Sequence, residues 1–81
     1  MTNDSLIIKD ALDKSAEYLK SKGSASPRLD AEILLCRITG LARLQLYLRF
    51  DQPLSKNEIE KYRELLKRRA AHEPVAYIIG E

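Results

Sequence analysis

Apolar residues recur at intervals of three and four along most of this chain. From Ser5 to Lys22, Ile8, Ala11, Leu12 and Leu19 share one face with the small residues Ser15 and Ala16. Asp10, Asp13, Lys14, Glu17 and Lys20 take the other face. That spacing predicts an amphipathic helix, with Asn3 or Asp4 placed to cap it and Gly23 to stop it. Ser24-Ala25-Ser26-Pro27 announces a second helix: Ser26 can cap, and Pro27 suits the first helical position, where its missing N–H costs nothing. Leu29, Ile33 and Cys36 form one apolar row of that helix, and Leu34, Ile38 and Leu41 form another. Rows this wide predict a helix buried on more than one side and central to the core, running to about Thr39 before Gly40. Arg28, Asp30, Glu32 and Arg37 are its polar positions.

Leu41–Phe50 reads two ways. Leu44, Leu46, Leu48 and Phe50 alternate with Gln45, Tyr47 and Arg49, as in a strand, but the stretch has no β-branched residue and no second strand candidate to pair with. A lone strand leaves its ladder groups unmatched, so a short helix is expected, with Leu44, Tyr47 and Leu48 on one face. After the turn Asp51-Gln52-Pro53-Leu54, Ser55-Lys56-Asn57-Glu58 is a capping box, and Leu54 and Ile59 can staple across it. The helix it opens carries Ile59, Tyr62, Leu66 and Ala70 on one face. Acids come early and bases late, with Glu64 and Arg68 one turn apart. His72-Glu73-Pro74 ends it, and Pro74 to Ile79 can form one more short helix before Gly80. The fold class that follows is all-α: a small bundle of four helices plus a short C-terminal fifth. The bundle spans residues 1–73, and 74–81 acts as a closing helix or hinge. In that reading Val75 or Ile78 is buried against the helix that begins at Ser55, and Glu81 is exposed.

Composition supports this picture. With 81 residues, 44% hydrophobic and 32% charged, the chain makes one small globular domain. Three Gly and three Pro are too few for the many turns of an all-β protein. A net charge of +2 is mildly basic and does not by itself imply nucleic acid. One Cys and one His cannot assemble a metal cluster or an internal disulfide, and a lone cysteine fits a reduced, cytoplasmic setting. No apolar run approaches the ~18 residues of a membrane span, and Met1-Thr2-Asn3-Asp4 lacks a basic leader.

Little in the chain suggests chemistry of its own. There is no glycine-rich phosphate loop; Cys36 lies on an apolar row as core filler; His72 sits at a basic helix end. The carboxylates fall mostly on solvent faces. Arg28, Arg43, Arg49, Lys67, Arg68 and Arg69 could converge in space, and a stand-alone basic domain binding nucleic acid is the alternative they raise. Against it, Glu58, Glu60 and Glu64 on the same helix would repel phosphates. Tyr62 is placed to line the core, while Tyr47 and Tyr77 are more open. An apolar patch around Val75 and Ile79 driving association would instead mark a protein–protein adaptor.

Three segments in register resemble a known family. Ser26-Pro27-Arg28-Leu29-Asp30-Ala31-Glu32 is followed by Leu46-Tyr47-Leu48 with Asp51, and then by Arg68-Arg69-Ala70-Ala71 leading to Glu73-Pro74-Val75-Ala76-Tyr77-Ile78-Ile79-Gly80. Together they are similar to the N-terminal domain of the HemK family, the protein-(glutamine-N5) methyltransferases that modify peptide chain release factors. The resemblance implies a helical domain joined to an S-adenosylmethionine-dependent methyltransferase domain, which is absent from this sequence. The family's glycine-rich cofactor loop and Asn-Pro-Pro-Tyr substrate motif belong to that second domain. No catalytic, cofactor-binding or metal-binding residue is therefore carried over to residues 1–81. The partners implied are a release factor, as protein substrate, and the chain's own catalytic domain, with no membrane. Arg28, Arg43, Tyr47, Arg49, Lys67 and Arg68 are the candidate partner-binding residues.

Overall fold

The computed structural model describes residues 6–80. Their order is β1 (Leu6–Ile7), α1 (Ile8–Ser21), α2 (Pro27–Thr39), α3 (Arg43–Leu48), β2 (Pro53–Leu54), α4 (Lys56–Ala70) and α5 (Val75–Ile79). The all-α architecture expected from periodicity is present, and Leu41–Phe50 resolves as the short helix α3. Candidate caps Asn3 and Asp4, and the exposure of Glu81, lie outside the described residues.

The two-residue strands were not expected. Leu6 pairs with Leu54 and Ile7 with Pro53, antiparallel. This pairing delays the start of α1 to Ile8, and it supplies what a capping side chain would have provided. The first-turn N–H groups of Ile8 and Lys9 donate to the carbonyls of Gln52 (3.0 Å) and Phe50 (3.1 Å). A distant turn thus satisfies two of the orphan donors at the helix start.

Helix α2 is the centre of the molecule, packed against α1, α3, α4 and α5. Its innermost residues are Ala31, Leu34 and Leu35, all at 0% exposure. They meet Ile8, Leu12 and Leu19 of α1, Leu46 of α3, Tyr62 and Leu66 of α4, and Ile78 of α5 in one core. The rows expected from sequence are shifted by part of a turn: Leu29 is exposed, and Ile33 and Cys36 are half-buried. On α3 the packed residue is Leu46, while Leu44 and Leu48 face solvent. Tyr62 is buried as expected, and its hydroxyl donates to the Ala31 carbonyl at 2.8 Å. Burial pushes its phenol well above the ordinary value. Burial likewise raises the Cys36 thiol, the reverse of what a reactive cysteine needs.

Helix ends explain the boundaries. The capping box at α4 is complete: Glu58 N–H donates to Ser55 Oγ at 3.1 Å, and Ser55 N–H to Glu58 Oε1 at 2.9 Å. Ser26 makes no such bond with its side chain. The Ser24 hydroxyl instead accepts from Ser26 N–H and donates to the Asp30 carboxylate at 2.7 Å, bracing the turn that leads into α2. Pro27 does occupy the start of α2, as expected.

Helices α1 and α4 both end in paired reverse bonds. Gly23 and Ser24 donate back to Lys20 and Leu19, and His72 and Glu73 donate back to Arg69 and Arg68. The left-handed residue is Gly23 (φ 92°) in the first and His72 (φ 71°) in the second. A side chain there crowds its own backbone, which costs roughly 1 kcal/mol. His72 is exposed and makes no hydrogen bond from its ring among the described residues. His72→Gly should therefore stabilise the domain by about 0.5–1 kcal/mol, read as a raised midpoint in urea. An unchanged or lowered midpoint would show that the imidazole holds something in place.

Helix α5 begins after Pro74 and packs on α2 and α4 through Ile78, at 8% exposure, with Val75 half-buried. The closing stretch therefore contributes to the core.

Candidate functional site

Sequence placed the two carboxylates of α2 on its polar side, but both are buried. Glu32 is 2% exposed and Asp30 is 7% exposed. Each is held by cations and hydroxyls from other parts of the chain. Glu32 accepts from Arg28 Nε at 3.3 Å and from Arg43 Nε at 3.0 Å, and the Tyr47 hydroxyl donates to its Oε2. The Arg28 guanidinium lies 6.0 Å from the Tyr47 ring centre, and Tyr47 packs on Phe50 at 4.9 Å. Asp30 accepts from Ser24 Oγ and from Arg69 Nε at 3.0 Å, tying the start of α2 to the end of α4. The periodicity of α2 could not show this, because apart from Arg28 on the same helix the cations that neutralise these carboxylates, Arg43 and Arg69, lie 11 and 39 residues away.

The six candidate partner-binding residues do not form one surface. Arg28, Arg43 and Tyr47 converge on Glu32. Arg28 also reaches Asp13 at 2.8 Å, and Lys9 and Arg28 together hold the Asp13 carboxyl below its usual range. Arg49 donates to the side chain of Gln52 at 3.3 Å. Arg68 pairs with Glu73 through two bonds of 3.1 and 2.9 Å, where Glu64 was expected as its partner. The turn that ends α4 brings Glu73 into reach, and the fork of two bonds outcompetes an i,i+4 contact. This pairing lowers the Glu73 pKa, so its contribution to stability is in place above about pH 4.5 and is lost as the pH falls below that. Lys67 alone of the six projects from an exposed position with no hydrogen-bonded or ionic partner among the described residues. No group of three or more His, Cys, Asp or Glu among the described residues could hold a metal ion. No described helix is long and apolar enough to cross a membrane.

The segments that resemble a known family are the ones that make these ties. Asp30 meets Arg69, Glu32 meets Arg28 and Tyr47, Arg68 meets Glu73, and Ile78 closes the core. A family model described as the PrmC N-terminal domain matches residues 10–80, nearly the whole chain. The chain belongs to the PrmC N-terminal domain family. Among its relatives, a release factor glutamine methyltransferase of Geobacter sulfurreducens is 44% identical over 90% of this chain and 26% of its own length. One from Rhodopirellula baltica is 42% identical over 85% of this chain and 23% of its own length. A bifunctional methyltransferase of Rickettsia prowazekii is 42% identical over 90% of this chain but only 14% of its own length. The chain thus spans about a quarter of the release factor glutamine methyltransferases it matches. No solved structure matches it.

For a PrmC N-terminal domain, the buried ties have a mechanical consequence. They join residues far apart in sequence, so α2, α3 and α4 are locked in relative position by directional bonds as well as by apolar packing.

Proposed function

We propose that this domain is the positioning module of a release factor glutamine methyltransferase. In this reading it holds the protein substrate while a separate S-adenosylmethionine-dependent domain methylates the glutamine of the Gly-Gly-Gln motif. The observation that carries the reading is the family match over residues 10–80, in relatives named release factor glutamine methyltransferase and about four times as long. S-adenosylmethionine belongs to the remainder of such a protein; residues 74–81 lead toward it as a hinge.

The physical need for such a module lies in the reaction. An amide nitrogen is a poor nucleophile, and holding it in line with a methyl donor lowers the barrier by several kcal/mol. Contacts made away from the glutamine can supply the binding energy for that alignment. A rigid helical body suits this task better than a flexible arm, because its contacts do not spend binding energy on ordering the module itself.

The nucleic-acid alternative is weaker on the same geometry. Arg28, Arg43, Arg68 and Arg69, four of the cations it needs, are each engaged by a carboxylate. A phosphate would meet those guanidinium groups with their charge already offset by a carboxylate.

The test compares the parent enzyme with a version lacking residues 1–73. Methylation of intact release factor should fall by at least about a hundredfold in kcat/KM, while methylation of a short Gly-Gly-Gln peptide changes little. Equal losses on both substrates would overturn the positioning role.

A further inference from the structure

One surface remains outside the ties described above. Between α1 and α4 runs an open groove of about 460 Å³. Its floor is Ala11 and Ser15 of α1 with Tyr62 and Leu66 of α4, all buried. Its walls end in exposed side chains: Lys14 and Tyr18 on one helix, and Arg63 and Lys67 on the other. Among the described residues three cations line it and no carboxylate does, although both helices carry several acids. None of the three has an ionic partner among the described residues, whereas Arg28, Arg43, Arg68 and Arg69 all do. Arg63 and Lys67 are one helical turn apart, so their charges repeat along the groove edge at about 6 Å.

We infer that this groove docks an acidic amphipathic helix of a partner protein, apolar side chains down and carboxylates toward both rims. The charge pattern selects that occupant. An apolar floor takes leucine-type anchors spaced three and four apart, the usual way a helix seats in a groove. The flanking cations then meet carboxylates at the positions beside those anchors, which sets orientation and speeds encounter. The inference deepens the positioning role and rests on it for the partner's biological identity, although binding itself does not require the catalytic domain.

The test uses the 81-residue chain and a synthetic helical peptide with leucines at three- and four-residue spacing flanked by glutamates. Titration followed by NMR should shift the backbone amides of Ala11, Ser15, Tyr18, Tyr62 and Leu66, and leave those of α5 in place. The paired reversal Arg63→Glu with Lys67→Glu should weaken binding by about tenfold or more, and Arg37→Glu, on exposed α2 surface, should not. Raising salt should weaken the unmutated complex. The inference fails if a scrambled peptide of equal charge binds as tightly, or if the shifts map to another face. It also fails if sedimentation shows a second copy of the chain in the groove, or if only a nucleic-acid duplex shifts these amides. Shift mapping needs no variant, so a misfolded mutant cannot hide the result. Peptide failure beside a selective loss on deleting the module would discard the groove and keep the positioning role; peptide binding without that loss would do the reverse.

Discussion

Replacing Leu34 by alanine should destabilise the domain by about 3 kcal/mol. Leu34 is at 0% exposure in the helix that touches every other helix, so the space it leaves cannot be filled by one neighbour moving. An 81-residue domain has a total stability on the order of 4–12 kcal/mol. The loss therefore removes a quarter or more of it, and the thermal midpoint should fall by roughly 12–24 °C. Leu48→Ala removes the same atoms from a residue 74% exposed and should cost less than about 0.5 kcal/mol. Comparable costs at the two sites, measured by urea unfolding, would contradict the assignment of α2 as the centre of the core.

The second large effect concerns the buried carboxylate and is asymmetric. The Glu32 side chain is 3% exposed, while those of Arg28 and Arg43 are 40% and 57% exposed. Converting Glu32 to glutamine leaves two arginines that can turn to water, and should cost about 1–2 kcal/mol. Converting both arginines to alanine instead leaves a buried charge with only the Tyr47 hydroxyl as donor from this cluster. That double variant should cost about 3 kcal/mol or more, because an uncompensated buried charge is the expensive product. It should also raise hydrogen exchange selectively across residues 43–48, since α3 would then be held by Leu46, its one buried side chain, and by the Tyr47 hydroxyl on Glu32. A larger cost for Glu32→Gln than for the double variant would mean that Glu32 is better solvated than its burial indicates.

These two cases mark where sequence reasoning succeeded and where it stopped. The core face of α4 was legible because Ile59, Tyr62, Leu66 and Ala70 repeat at helical spacing behind a capping box, and all the atoms needed to fix that pattern lie within one segment. The short helix at 43–48 was legible for the opposite reason, the want of a β-branched strand and of a partner for it. Its buried face was not, because Leu44 and Leu48 differ from Leu46 only in what lies opposite them. Tyr62 was placed correctly from its row, whereas Cys36, expected as core filler, is half-buried at the edge of the core. The six candidate partner residues were chosen for charge and polarity, and charge alone does not reveal whether a cation is already engaged.

By itself, the sequence determined the helical segments, most of their ends, the single-domain size and the family resemblance, since these follow from local spacing, capping and turn chemistry. Tertiary structure decided three further things. It joined Leu6 and Leu54 across most of the chain, so that a turn capped α1. It buried Asp30 and Glu32 against cations far away in sequence. And it left Lys14, Arg63 and Lys67 without an ionic partner among the described residues along one groove, while pairing Arg28, Arg43, Arg68 and Arg69 elsewhere. Helix formation depends on neighbours three and four residues apart, whereas the burial or pairing of a charge depends on which helix comes to lie beside it.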